Sequence, residues 1–154
     1  MKQMRIGIIG AGRVAHHLAR ALSARHQIVQ VYSRSPDKAA QLAQQVQASA
    51  IHSPAQFDAT LDLVIIAVSD QSIVEVIEQV HPHLPEVLMV HTSGSTAMQL
   101  LQQVHARAGV FYPLQTFSLE REIDWSNTPL FIEAADEDDQ AILLQLANEL
   151  SQRV

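Results

Sequence analysis

Apolar residues along the chain fall into short continuous runs that alternate with helical stripes. The runs predict strands at 4–9, 28–32, 63–68, 87–90 and 110–112, with shorter strands at 50–51 and 130–133. Stripes with i, i+3, i+4, i+7 spacing predict helices, and the first of these helices follows the first apolar run. The stripes of the other four are Ala39, Leu42, Ala43 and Val46; Ile73, Val76, Ile77 and Val80; Ala97, Leu100, Leu101 and Val104; and Leu143, Leu146, Ala147 and Leu150. The alternation predicts an α/β fold, a doubly wound, mostly parallel Rossmann-type sheet with helices on both faces.

Polar and glycine positions mark the predicted helix ends. We expect Ser35 and Asp70 to cap the second and third helices, and Ser95 is a candidate cap for the fourth. Gly109 is expected to close that fourth helix. Residues 113–128 show no period and are predicted to form a long loop.

The first strand runs into a glycine turn with G-x-G-x-x-A spacing, formed by Gly10, Gly12 and Ala15. Gly10 permits a tight turn, Gly12 lets a pyrophosphate approach the backbone, and Ala15 lets the helix pack closely on the strand. The free N–H groups and positive dipole end of that helix then face the phosphates. In a strand–turn–helix setting this spacing predicts a dinucleotide site.

The tip of the second strand indicates which dinucleotide binds. A carboxylate there favours NAD, whereas cations and hydroxyls favour the 2′-phosphate of NADP. This chain has Ser33, Arg34 and Ser35 at the tip, with Lys38 one helical turn later, and Asp37 lies inside the first helical turn. These residues supply charge and hydrogen-bond donors, and we therefore predict NADP, with NAD less favoured. A helix cap beside a solvated arginine is the alternative interpretation.

Ligands of open α/β sheets lie at the carboxyl ends of the strands, and this rule nominates two further turns. Val68 and Ser69 are predicted to form a wall beside the ribose or nicotinamide, and a helix cap is the alternative role for Ser69. His91 and Ser93 place an imidazole and a hydroxyl where they can orient a carbonyl or carry a proton. A polar turn that only caps the following helix explains His91 and Ser93 equally well. The loop from Tyr112 to Phe117 could wall a substrate or simply cover the sheet edge.

Composition narrows the function classes. The chain has 154 residues, 47% hydrophobic and 17% charged, which is typical of one soluble globular domain. Its net charge of −6 argues against nucleic acid as a partner, and no apolar run is long enough for a membrane span. With no cysteine, thiolate chemistry and disulfides are excluded, and we expect a cytoplasmic protein.

The remaining charged residues are assigned structural roles. Acids at 136–139 precede the last helix and complement its dipole. His81 and His83 lack a third ligand nearby, so no metal site is predicted. The other histidines outside the candidate turns are interpreted as surface or cap residues: His16, His17, His26, His52 and His105.

Several segments together resemble one bacterial family: GAGRVAHHLARAL, YSRS, IIAVSD, HTSGS and FYPLQTFS. This family pairs an N-terminal Rossmann-like NADP-binding domain with a C-terminal helical domain of unknown function. More distantly, the chain is similar to pyrroline-5-carboxylate reductase, prephenate dehydrogenase and the 6-phosphogluconate dehydrogenase-like superfamily. The resemblance covers nearly all of the chain. Residues 1–154 are therefore expected to form a single cofactor domain without the helical domain. In family members that helical domain usually completes the substrate pocket and often forms a homodimer.

The resemblance also implies roles for particular residues. The pyrophosphate would lie on the glycine turn, at Gly10, Ala11, Gly12, Arg13 and Val14. Ser69, His91, Ser93 and the loop at 113–117 would face the nicotinamide. Family members usually carry histidine where this chain has Tyr112, so Tyr112 is the third candidate catalytic residue after His91 and Ser93.

Two functions of different classes follow. The first is the cofactor domain of an NADP-dependent oxidoreductase that acts on a small carbonyl or imine once joined to its helical domain. The second is a sensor or scaffold module that binds NADP(H) without turnover. A Rossmann domain for another nucleotide, such as a methyl donor, is disfavoured by the Ser33–Arg34–Ser35 tip.

Overall fold

The computed structural model describes residues 3–115, 117–118 and 121–154. In these residues seven strands and five α-helices follow one another in the order β1 (Arg5–Ile9), α1 (Arg13–Leu22), β2 (Gln27–Tyr32), α2 (Pro36–Val46), β3 (Ser49–Ile51), β4 (Leu63–Ile66), α3 (Ile73–Val80), β5 (Leu88–His91), α4 (Met98–Gln102), β6 (Ala108–Pro113), β7 (Leu130–Ala134) and α5 (Glu137–Leu150). Short 3₁₀ turns lie at Pro54–Gln56, Asp70–Ser72 and Trp125–Asn127.

The strands form one sheet in the order β3-β2-β1-β4-β5-β6-β7. All neighbours are parallel except β6 and β7, which pair antiparallel. The strand order reverses between β1 and β4, and ligands of doubly wound sheets bind at such a switch point. The predicted fold class is confirmed.

Two apolar cores, one on each face, hold the helices to the sheet. Leu18 of α1, Leu42 of α2 and Leu143 of α5 pack on one face. Ile77 of α3 and Leu101 of α4 pack on the other. Strands β4 and β5 are buried along their full length, because helices cover both of their faces.

The region from α4 to β6 differs from the prediction. Helix α4 has only five residues, and its N-cap is Ala97 rather than Ser95. Gly109 lies inside β6 instead of closing a helix. A Cβ atom there would come 2.6 Å from the carbonyl oxygen of Glu133, so glycine is needed for the close approach of β7.

The histidine assignments also need correction, because three of the supposed surface residues are buried. His17 is 6% exposed, His26 is 4% exposed and His105 is fully buried. His26 accepts a hydrogen bond from the Met4 amide at 3.0 Å and bonds to Glu149 at 2.7 Å. It therefore joins the start of β1 to the end of α5.

The acidic start of α5 is partly as expected. The Asp136 side chain accepts a hydrogen bond from the Asp139 amide at 2.8 Å, which is an N-cap. Asp139 itself is only 2% exposed and binds Arg107.

The longest helix has 14 residues, and no helix in the described part of the chain meets the length and hydropathy of a membrane span.

Candidate functional site

The glycine turn holds three strand tips together. Gly10 has φ +112°, and a Cβ atom there would lie 2.2 Å from the carbonyl oxygen of Ala67. Its amide donates to the Tyr32 carbonyl at 2.8 Å, and the Ala67 amide donates to the Ile9 carbonyl at 2.8 Å. Only glycine suits residue 10, because both the backbone conformation and the space exclude a side chain. The predicted tight turn is present.

Gly12 faces open space at the start of α1. A Cβ atom at residue 12 would meet no atom within 4 Å. Gly12 is the N-cap of α1, and no acid lies in the first turn of that helix. Ala15 is only 1% exposed, because α1 packs closely against the sheet there. The open space and the unpaired positive helix end fit a pyrophosphate group.

A cavity of about 290 Å³ opens beside this turn, between the tips of β1, β2 and β4. Its walls include seven of the predicted cofactor-binding residues: Gly10, Ala11, Gly12, Ser33, Arg34, Val68 and Ser69. Tyr32 and Val76 add apolar surface to the same walls. We name this space the cofactor cavity. Residues predicted from three separate stretches of sequence thus come together around it.

A second cavity of about 490 Å³ lies on the other side of Gly12, between α1 and α2. Arg13, His16 and Lys38 line it, together with Ala11 and Gly12. Burial and the neighbouring charges of His17 and Arg20 lower the pKa of His16. Arg13 and Lys38 therefore supply the permanent positive charge here.

Two predicted residues are placed differently from the rest. Val14 is partly buried and packs against the core, and Ser35 is the N-cap of α2 without a side-chain cap bond. Neither is among the described residues that line the two cavities beside Gly12. The Ser35 amide donates to Ser33 Oγ at 3.1 Å, which fixes the strand tip. Their contact with a cofactor stays a prediction.

Arg34 is largely free to turn toward a ligand. Its Nη2 lies 3.5 Å from Glu75 Oε2, and the two side chains are 64% and 62% exposed. Exposed ion pairs of this kind contribute little to stability. A phosphate placed at the tip of β2 could therefore take over the guanidinium from Glu75.

The turn after β5 is built differently from its prediction. His91 is fully buried rather than open to the cleft, its Nδ1 accepts a hydrogen bond from the Ser93 amide at 3.0 Å, and its Nε2 meets no partner among the described residues. Burial lowers the pKa of His91, while the Thr96 backbone and the Asp70 charge act in the opposite direction. In this arrangement His91 positions Ser93, and its catalytic role stays a prediction.

Asp70 makes a contact that the sequence did not reveal. No side-chain capping bond occurs at the Asp70–Ser72 turn or at α3. The carboxylate instead accepts a hydrogen bond from Ser95 Oγ at 2.6 Å, and the hydroxyls of Ser95 and Ser93 lower the pKa of Asp70. Parallel β4 and β5 are neighbours, so the turns that follow them meet at one edge of the sheet. The adjacency of the two turns indicates that their polar residues can meet, but it does not identify which two residues form a hydrogen bond.

A third cavity of about 740 Å³ extends from this turn across the face of β6 and β7. Ser93, Ser95 and Thr96 line one side, and Tyr112 and Phe131 line the other. The rings of Tyr112 and Phe131 stack with centroids 6.1 Å apart and an interplanar angle of 26°. We name this space the hydroxyl cavity. Ser93 and Tyr112, two of the three predicted catalytic residues, both open into it.

The loop after β6 has a mostly structural role in its described part. Phe117 is 7% exposed and packs against the rings of His17 and Trp125, with centroids 5.6 and 5.8 Å apart. His17 Nε2 also hydrogen-bonds to the Ser118 carbonyl. Thr116, part of the predicted loop, lies outside the described residues. The described part of the loop therefore packs on α1.

Comparison with known proteins agrees with this geometry. The family model for NADP oxidoreductase, coenzyme F420-dependent, matches residues 5–94. A candidate NADP oxidoreductase from Bacteroides fragilis is 40% identical with a TM-score of 0.93, and the match covers 99% of this chain and 60% of that one. No curated protein matches the sequence.

Two further structures share the fold at lower identity. A pyrroline-5-carboxylate reductase from Coxiella burnetii is 20% identical with a TM-score of 0.77, and the match covers 99% of this chain and 58% of that one. A prephenate dehydrogenase from A. aeolicus, in complex with hydroxyphenyl propionate and NAD⁺, is 12% identical with a TM-score of 0.84, and the match covers 100% and 60%. The chain thus spans about 60% of the length of these proteins.

Proposed function

Because this chain belongs to the family of NADP oxidoreductases described as coenzyme F420-dependent, we propose that it is the cofactor-binding domain of an NADP-dependent oxidoreductase. The reaction that we propose is hydride transfer to a small carbonyl or imine, or from the corresponding alcohol or amine. The observation that carries the proposal is the open space at Gly12, where a Cβ atom would meet nothing within 4 Å at the start of α1. A pyrophosphate requires such a space beside free amides.

The residues around the cofactor cavity and the second cavity beside Gly12 fit the pyrophosphate and the adenosine ribose of a dinucleotide. We propose that Arg13 and the amides after Gly12 hold the pyrophosphate. Ser33, Arg34 and Lys38 would hold the adenosine 2′-phosphate, because they offer two cations and a hydroxyl. No acid lies at 33–35, where a ribose-binding carboxylate of an NAD site would be expected.

The nicotinamide, when bound, supplies the hydride chemistry, and the chain's own residues orient what it reacts with. Val68 and Ser69, which line the cofactor cavity, would flank the ribose or the ring. Ser93 and Tyr112 open into the neighbouring hydroxyl cavity and can hydrogen-bond a substrate there. His91 would act through Ser93, whose amide it holds.

Separate fluorescence titrations with NADPH and NADH test the cofactor. We expect tighter binding of NADPH, and Arg34→Ala should weaken NADPH by about 1–3 kcal/mol while NADH changes little, since only NADPH loses a charge-assisted bond. Arg20→Ala removes another exposed arginine at the far end of α1 and should leave both affinities unchanged. Equal affinity for the two cofactors in the unaltered protein would rule out NADP preference.

Turnover is tested in the longest natural protein that contains residues 1–154. NADPH oxidation with a panel of keto acids and cyclic imines is the expected activity. Tight NADPH binding without turnover across the panel would instead favour a cofactor-sensing module.

A further inference from the structure

The hydroxyl cavity contains a directed chain of hydrogen bonds that ends at Asp70. Ser95 Oγ donates to Asp70 Oδ2 at 2.6 Å, and Ser93 Oγ lies 3.2 Å from Ser95 Oγ. Thr96 Oγ1 donates to Ser93 Oγ at 3.3 Å, and the Ser95 amide donates to Ser93 Oγ at 3.1 Å. The chain therefore links three hydroxyls on one turn to a carboxylate on the turn beside it.

The charge of Asp70 sets the direction of this chain. An ionised carboxylate only accepts hydrogen bonds, so the single proton of the Ser95 hydroxyl is used in the bond to Asp70. Ser95 Oγ can then only accept, so the Ser93 proton is directed either at Ser95 Oγ or at Asp70 itself, whose pKa the Ser93 hydroxyl also lowers. Asp70 is exposed to solvent, and the hydroxyls of Ser95 and Ser93 lower its pKa, so it is ionised at neutral pH.

Ser93 consequently has no proton to offer to the cavity. Its hydroxyl hydrogen points toward Ser95 or Asp70, and its remaining capacity is to accept. The Thr96 hydroxyl, which lies at the long distance of 3.3 Å, is the donor that a ligand could replace. His91 keeps the Ser93 backbone in place through the 3.0 Å bond from the Ser93 amide.

We propose that Asp70, acting through Ser95, makes Ser93 a hydrogen-bond acceptor, so that the hydroxyl cavity holds an alcohol or amine rather than a carbonyl or imine. The proposal rests on the proposed function and deepens it, because it names which partner of the redox couple the site holds. An alcohol or amine brings its own donor to Ser93 Oγ. A carbonyl oxygen would face the lone pairs of Ser93 with no proton between them. Tyr112 can donate or accept and therefore does not discriminate.

Asp70 is thus a positioning residue, and Ser93 is the group that contacts the ligand. Asp70→Asn keeps the shape of the side chain but provides an amide that can donate to Ser95. The chain can then reverse, with Ser95 donating to Ser93 and the Ser93 hydrogen pointing into the cavity. The variant should therefore lose the preference for a donor ligand without losing the fold.

The test uses two rings of equal size, cyclohexanol and cyclohexanone, titrated into the ¹⁵N-labelled protein while the amides of Gly94, Ser95 and Thr96 are followed by NMR. We expect cyclohexanol to bind about three- to tenfold more tightly, the change expected from one hydrogen bond of ordinary strength. Asp70→Asn and Ser93→Ala should each reduce this ratio to below about twofold, or invert it. Glu78→Gln, which removes one exposed charge on the neighbouring helix α3, should keep the ratio of the unaltered protein.

The proposal is overturned if the two rings bind equally, if cyclohexanone binds more tightly, if neither ring shifts these amides, or if Asp70→Asn keeps the preference. Adding NADPH to the same samples tests the cofactor site separately, through the amides at 10–14. Alcohol preference without NADPH binding would refute the proposed function and leave the role of Asp70 standing. NADPH binding without alcohol preference would do the reverse.

Discussion

Gly94 lies directly against the ring of Tyr112, and a Cβ atom at residue 94 would come within 2.6 Å of Tyr112 Cε2 and 2.7 Å of Cζ. The same ring also stacks on Phe131. Glycine at this position therefore lets the turn after β5 approach the aromatic wall of the hydroxyl cavity. The approach brings Ser93 and Tyr112 to the same cavity.

Gly94→Ala should displace the Tyr112 ring and lower the free energy of unfolding by about 1–2 kcal/mol, because overpacked side chains must shift. Urea denaturation measures the loss. The same substitution in a Tyr112→Ala background should cost much less, since the overlapping ring is gone. An equal cost in both backgrounds would show that the ring contact is not the cause.

Gly10 and Gly12 should respond to alanine in opposite ways. Gly10→Ala is expected to lower the free energy of unfolding by about 3 kcal/mol or more, because a Cβ atom at φ +112° would overlap the Ala67 carbonyl oxygen. Gly12→Ala should cost no more than about 1 kcal/mol, since its Cβ meets open space and only the N-cap preference for glycine over alanine is lost.

Thermal denaturation and NADPH titration of the two variants separate structure from binding. Gly12→Ala should weaken NADPH while its melting temperature stays close to that of the unaltered protein. Unchanged NADPH affinity in Gly12→Ala would contradict the placement of the pyrophosphate at this turn.

The fold and the glycine turn could be predicted because their signals are local. Buried parallel strands read as continuous apolar runs, and the turn at Gly10 and Gly12 requires glycines at fixed spacing. The strand order that places β1 beside β4 then brings the tips at Ser33 and Val68 around one cavity. Each of these steps needs only short-range pattern and a topology rule.

Contacts between distant polar residues could not be predicted in the same way. Asp70 and Ser95 are 25 residues apart, and His26 and Glu149 are 123 residues apart. A polar residue in a sequence carries no periodic signal that identifies its partner, so the sequence pattern does not distinguish a buried histidine from a surface one. For the same reason the pattern predicts a helix cap at Asp70 and not its bond to Ser95.

Arg107 and Asp139 form an ion pair whose loss should be measurable. Arg107 Nη2 lies 2.6 Å from Asp139 Oδ1 and Nε lies 3.1 Å from Oδ2, while the Asp139 side chain is 3% exposed. Arg107→Ala leaves a buried carboxylate without its counterion and should cost about 3 kcal/mol in the free energy of unfolding. Guanidinium denaturation measures it.

Two matched variants check the cause. Adding Asp139→Asn to Arg107→Ala should recover part of the loss, since the uncompensated charge is removed. Arg25→Ala, whose side chain is 66% exposed and 4.0 Å from Glu149, should cost no more than about 0.5 kcal/mol. A single Arg107→Ala variant as stable as Arg25→Ala would refute the buried-charge argument.

His105 should make the protein less stable in acid. Its Nε2 donates to the Val87 carbonyl, so the neutral ring accepts at Nδ1 from His81 Nδ1, 2.8 Å away. Burial, together with the charges of His81 and Arg107, lowers the pKa of His105 below its ordinary value of about 6.5, against the opposing effect of the Val87 carbonyl. The folded protein therefore holds this proton less tightly than the unfolded chain.

The free energy of unfolding should accordingly fall as the pH drops below about 6.5, because the unfolded state then binds more protons than the folded state. His105→Gln should be less stable at pH 7 by about 1–3 kcal/mol but should lose less on going to pH 5. Chemical denaturation at both pH values measures this, with the exposed His83→Gln as the control. The pKa of His91 is also lowered by burial, and His91 is unchanged in these variants. Each variant should therefore still lose some stability in acid. An acid loss in His105→Gln as large as that of the unaltered protein would assign the effect to other groups.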